Sequence, residues 1–185
     1  MTRPGSAPTA DAPTLALQLG EIKQLFNTMD PAPFNERDLD PNAERYIVEW
    51  ARERRAGEPL GLTVRLARAQ ADAATVVPEA VRAYFTQRAA AERRRLRQLL
   101  RTGRTSLLVG GLFLGAALLL ADLLAGLVAG ERAASVVRES FVIGGWVALW
   151  RPLEIFLYDW WPILAEARLY DRLGAMSVEV RGGAD

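Results

Sequence analysis

A chain of 185 residues has room for one modest domain plus a membrane segment, which excludes two large soluble domains. It has no Cys and no His, so thiol nucleophiles, disulfides, most zinc sites and the usual imidazole base are excluded together. Hydrophobic residues make up 50%, yet mean hydropathy is only +0.03 and the net charge +1, so apolar and charged residues must be segregated for either to dominate locally.

Residues 1–13 are rich in Pro, Ala and Thr and lack the basic-then-apolar layout of a signal peptide, so a disordered tail is expected. Over 15–29, Leu15, Leu19, Ile22, Phe26 and Met29 recur at helical spacing until Asp30 and Pro31 end the pattern. This predicts a short amphipathic helix that either packs on its own domain or lies on a partner or membrane surface. Asp40 before Pro41 supplies a capping carboxylate and a first-turn proline, and Ala43, Tyr46, Ile47, Trp50 and Ala51 share one apolar face. The pattern predicts a helix over about 41–55, stopped by Gly57 and Pro59.

Leu60, Leu62, Val64 and Leu66 then alternate with Gly61, Thr63 and Arg65, as a half-buried strand would. Near the end of the chain, Met176, Val178 and Val180 alternate with Ser177, Glu179 and Arg181 in the same way. Two strands are marginal alone in water, so either helices cover them or strands of a second protomer extend the sheet. Pro78 opens a further helix with Val81, Phe85, Ala89, Leu96 and Leu99 as its stripe, and only Gly103 interrupts the run into the next segment. One long helix over about 78–125 is expected, its first half soluble and its second half in lipid.

Between Thr105 and Asp122 no residue is charged, and the apolar run resumes to Ala129, enough to cross a hydrocarbon core of about 30 Å. The second span, over about 133–155, is less clean, because its uncharged centre from Phe141 to Trp150 covers only about 15 Å of helix. Arg151 would therefore reach to the headgroups, with Trp150, Tyr158, Trp160 and Trp161 as an aromatic belt. Arg93, Arg94, Arg95, Arg97, Arg101 and Arg104, with Arg88 ahead of them, precede the first span, whereas the connecting loop region holds Arg132 and Arg138. That asymmetry puts both termini on the cytoplasmic side. The Arg cluster is expected to contact anionic lipid; nucleic acid is not expected, since no aromatic platform accompanies it.

Several ionisable residues fall at the span ends. Asp122, Arg138 and Glu139 lie at similar depth at the outer end, where either a salt bridge across the hairpin or an ion site would place them. Arg151 and Glu154 are three residues apart on one helical face, with Tyr158 a turn further on and a helix-kinking Pro152 between the charges. Gly110, Gly111, Gly115, Gly144 and Gly145 permit close helix contact, and Gly111 with Gly115 makes a GxxxG.

The runs FNERDLDPNAERYIVEWARE and GWVALWRPLEIFLYDWWPI resemble segments of a family of uncharacterised bacterial inner-membrane proteins, over roughly residues 34–180. The resemblance implies a two-span layout and carries no catalytic residues with it.

The fold class expected is a mainly α membrane protein: a two-helix transmembrane hairpin with a small cytoplasmic α+β domain containing two short strands. Its parts would be a tail (1–13), cytoplasmic helices and one strand (14–102), a first transmembrane helix (103–130), a short outer loop and second transmembrane helix (131–158), and a cytoplasmic helix and strand (159–185). The expected function is a noncatalytic membrane subunit or scaffold that self-associates or binds another membrane or cytoplasmic protein, without catalytic, metal or cofactor residues. Two alternatives are a homo-oligomeric channel or transporter lined by Asp122, Glu139 or Glu154, and a lipid-modifying enzyme using Glu154 and Asp159.

Overall fold

The computed structural model describes residues 13–31, 37–68, 73–127 and 130–182; the expected tail, up to residue 12, lies outside them. The chain runs β1 (Thr14–Leu19), a 3-10 turn (Ile22–Leu25), α1 (Pro41–Arg52), β2 (Gly61–Leu66), α2 (Ala73–Leu127), α3 (Glu131–Glu154), a π-helical turn (Ile155–Asp159), α4 (Trp160–Gly174) and β3 (Ser177–Gly182). Two compact units result: Met1–Ala91 with Glu166–Asp185, and Glu92–Ala165.

The first unit is built on a three-stranded sheet, order β1-β2-β3, in which both pairings are parallel. This corrects the expectation of two strands: the third is β1, in place of the expected amphipathic helix. Leu15, Leu19, Ile22 and Phe26 do fit a helical stripe, but Leu15, Leu17 and Leu19 also fit a strand, and pairing with β2 decides between the two patterns. The stripe also misassigns the residues after β1, since Leu25 is fully buried while Met29 is 88% exposed. Phe26 instead forms an antiparallel bridge with Leu39, which brings the chain to the start of α1.

There the Asp40 carboxylate accepts hydrogen bonds from the backbone N–H groups of Asn42 and Ala43, and Pro41 occupies the first turn, so the cap read from the sequence is formed. The helix ends at Arg52, short of the expected 55. In β2 nearly every residue is buried, Thr63 included, and only Arg65 is exposed. The face that carries Thr63 and Arg65 is the open one, since their register neighbours Ala16, Gln18, Glu179 and Arg181 are exposed, and Thr63 is buried by its central place between Ala16 and Glu179. The two distant strands β2 and β3 pair within one chain, Leu62 opposite Val178 and Val64 opposite Val180. The core gathers Leu25 and Phe26 at the end of the 3-10 turn, Ile47 of α1, Val64 of β2, Phe85 of α2 and Leu173 of α4.

α2 begins at Ala73, five residues before Pro78. Pro78 forfeits one early backbone bond, but Ala73, Val77, Ala80 and Val81 are all buried, and their packing carries the helix back past the proline.

The second unit is an antiparallel pair of helices. Among the described residues two helical stretches are long and apolar enough to cross a membrane, Ala73–Leu127 and Glu131–Gly174. The pair is closed by Gly103 against Ile155 and Phe156, Gly110 against Ala148 and Leu149, and Gly145 against Leu114. The expected GxxxG is not the contact: Gly111 and Gly115, like Gly144, have nothing within 4 Å of where a Cβ would stand. The glycines in contact are one residue out of that register, a rotation of about 100° that carries Gly111 off the interface.

Candidate functional site

The polar part of the second unit is a groove of about 650 Å³ at the arginine-rich end of the helical pair. α2 lines it with Arg95, Gln98, Leu99 and Thr102, which share a face by their spacing of three, four and seven residues. Across from them stand Arg151, Ile155, Tyr158, Asp159 and Pro162.

Pro152 shapes this wall. It has no N–H to return to the Ala148 carbonyl one turn back, and the helix passes into the π-turn three residues later. A π-turn uses i→i+5 bonds and inserts one extra residue, so Asp159, eight residues after Arg151, lands where a regular helix would put the seventh. The Arg151 guanidinium consequently meets two carboxylates through one nitrogen: Nη1 lies 3.1 Å from Glu154 Oε2 and 3.2 Å from Asp159 Oδ2. Trp150 Nε1 donates to Glu154 Oε1 at 2.9 Å, and Trp160 Nε1 to the Phe156 carbonyl at 2.9 Å. Arg95 pairs with Glu92 at 3.6 Å.

Spacing alone identifies Arg151 with Glu154 but places Tyr158 beside them. The groove includes Tyr158, yet the second carboxylate is Asp159, and the only sequence signal for that shift is Pro152. Glu154 and Asp159, the pair weighed as acid and base, both serve the same guanidinium.

A second groove of about 440 Å³ shares Arg151 and continues along Thr105, Val109, Phe113 and Ala148. Its walls are mostly apolar. At the opposite end of the pair, Arg138 Nε donates to Asp122 Oδ1 at 3.0 Å, across the two helices, with both side chains more than half exposed. Glu139 is exposed and stands outside that pair. Arg94, Arg97, Arg101 and Arg104 are exposed on α2, as is Arg93. Trp150, Tyr158 and Trp161 are each more than half exposed, and Trp160 is 36% exposed.

Arg88, which sequence position groups with this cluster, belongs to the first unit and has a different role. Its Nε and Nη2 donate to Glu44 Oε1 at 3.1 and 2.8 Å, and its guanidinium lies over the Tyr170 ring at 5.6 Å. Burial and a hydrogen bond to the Glu44 carboxylate push the Tyr84 phenol well above its ordinary range. Burial also raises Tyr170, against the opposing Arg88 charge. No local pattern joins residue 44 to residues 84, 88 and 170, so this cluster is not legible in the sequence.

Because the Tyr84 phenol is harder to ionise folded than unfolded, its contribution is complete below about pH 10 and is lost as pH rises through the folded value. Tyr84→Phe is expected to flatten the alkaline fall in melting temperature of the purified protein. An unchanged alkaline limb would place that loss elsewhere.

No protein-family model matches the chain, and neither does any curated protein or solved structure.

Proposed function

We propose that the chain is a noncatalytic, two-span subunit of the bacterial inner membrane, with both termini on the cytoplasmic side. Its first unit would bind another membrane or cytoplasmic protein, or a second copy of the chain. The observation that carries the membrane reading is exposure: the most apolar window of each long helix is only 17% buried. A core helix of a soluble protein of that hydropathy would be largely covered, whereas Leu108, Leu112, Leu119, Leu123 and Val147 are all more than 60% exposed. An aqueous surface of this kind would aggregate, and lipid removes the difficulty.

Orientation is supported by the arginines of α2, which lie at the same end of the helical pair as Arg151 and the aromatic residues. Asp122 and Arg138 neutralise one another at the other end, as charges at a membrane boundary tend to do. The partner reading is supported by the sheet, whose β1 and β3 each have one strand neighbour among the described residues.

A reporter that fluoresces only in the cytoplasm, fused after Asp185, is expected to be bright, and a phosphatase active only outside the cytoplasm to be silent at the same position. The reverse pattern would overturn the hairpin orientation. For the subunit reading, gentle purification from native membranes should yield a stoichiometric companion or a discrete oligomer. A lipid-free monomer with turnover of its own would overturn it.

A further inference from the structure

The two grooves of the second unit meet at Arg151, and together they are polar at one end and apolar at the other. On α2 their lining advances through Arg95, Thr102, Val109 and Phe113, spacings of seven, seven and four that stay on one face of the helix. The polar end is about 650 Å³, within the roughly 300–1,000 Å³ of small-ligand sites. The apolar end is a furrow beside Ala148 and Pro152.

We propose that this continuous groove binds one aminophospholipid, with its phosphodiester at Arg95 and Arg151, its amine at Asp159 and one acyl chain along Val109 and Phe113. The assignment rests on the membrane reading above and goes beyond it in naming a lipid and its site. Two features select this headgroup. First, both carboxylates on Arg151 use the single nitrogen Nη1, while a guanidinium has five N–H donors, so a phosphate can be met by the remaining fork. Second, the groove is not simply basic. Arg95 and Arg151 share the lining with Asp159 and are themselves paired with Glu92 and Glu154, so a purely anionic headgroup would face the Asp159 carboxylate and two partly neutralised arginines. A headgroup carrying both signs complements both. Asp159 presents a second oxygen beyond the one engaged by Arg151, an acceptor suited to a primary ammonium.

The test is native mass spectrometry of the full chain, delipidated in detergent and titrated with phosphatidylethanolamine, phosphatidylglycerol or glycerophosphoethanolamine, the last being the same headgroup without chains. One phosphatidylethanolamine per chain is expected, with phosphatidylglycerol and the chainless headgroup each weaker by about ten-fold or more. Arg95→Gln should weaken phosphatidylethanolamine by about ten-fold, the loss of one charge-assisted contact. Asp159→Asn should shift preference toward phosphatidylglycerol, and Val109→Trp, at an exposed site, should reduce both lipids by filling the furrow. Equal or tighter binding of phosphatidylglycerol, indifference to Arg95→Gln and Val109→Trp, or equal binding of the chainless headgroup would overturn the proposal. Alkaline extraction of native membranes separates the two readings. A protein that stays embedded but ignores phosphatidylethanolamine loses only this site, whereas one that washes off loses the membrane reading itself.

Discussion

Phe85→Ala is expected to destabilise the first unit by about 3–5 kcal/mol, the range for emptying a fully buried aromatic site. Phe85 is fully buried, meets Tyr84 edge-on at 5.3 Å and stacks on Tyr170 at 6.2 Å with an interplanar angle of 20°. It therefore joins α2 to α4 directly, and those helices flank a sheet whose central strand has little exposed surface. The residues around it are ordered on several sides, so the cavity left by alanine cannot close cheaply. Hydrogen exchange at the β2 amides gives the readout, since these should open only when the unit does. Exchange should accelerate by more than about a hundred-fold, as a loss of about 3 kcal/mol implies. Phe85→Leu, which keeps most of the volume, should accelerate it far less. Unchanged exchange at β2 would mean that the aromatic cluster does not support the sheet.

The second large effect is expected at Gly110. A Cβ placed there would stand 2.9 Å from the carbonyl oxygen of Ala148 and 3.0 Å from Leu149. The first of these is backbone and cannot rotate away. The same carbonyl has no N–H to accept from at Pro152, one turn on. Gly110→Leu should therefore separate the helices and destabilise the pair by about 1–3 kcal/mol or more, the range for overpacking a close contact. Gly111→Leu is the matched control, because a Cβ at Gly111 meets nothing within 4 Å. The chain has no native cysteine, so spin labels on Leu112→Cys and Val147→Cys, both at exposed positions, report the separation without background. The distance should widen in the Gly110 variant and stay fixed in the Gly111 variant. Equal behaviour of the two would place the interface elsewhere.

These two sites differ in how far the sequence reveals them. Phe85 lies on a helical stripe visible in the sequence, so its burial is expected, although Tyr170 as its stacking partner is not. For the glycines, spacing points to Gly111 and Gly115, and the observed contact uses Gly103, Gly110 and Gly145. A glycine-rich span offers several small-residue registers of similar quality, and only the facing helix selects one. Pro152 is recognisable as a disturbance, but its outcome as a π-turn, and hence the recruitment of Asp159 to Arg151, depends on how the helix is held on both sides.

The sequence by itself determined the features whose causes are local. The Asp40 and Pro41 start of α1, the strand pattern at β2 and β3, and two helices long and apolar enough to span a bilayer follow from caps, alternation and hydropathy within a few residues. Tertiary structure decided everything that depends on a distant neighbour. β1 is a strand because β2 is there to pair with it, Thr63 is buried because Ala16 and Glu179 flank it in the two neighbouring strands, and Arg88 turns from the arginine run to Glu44 because α1 packs beside it. Periodicity records which face of a segment is apolar; it does not record what that face will meet.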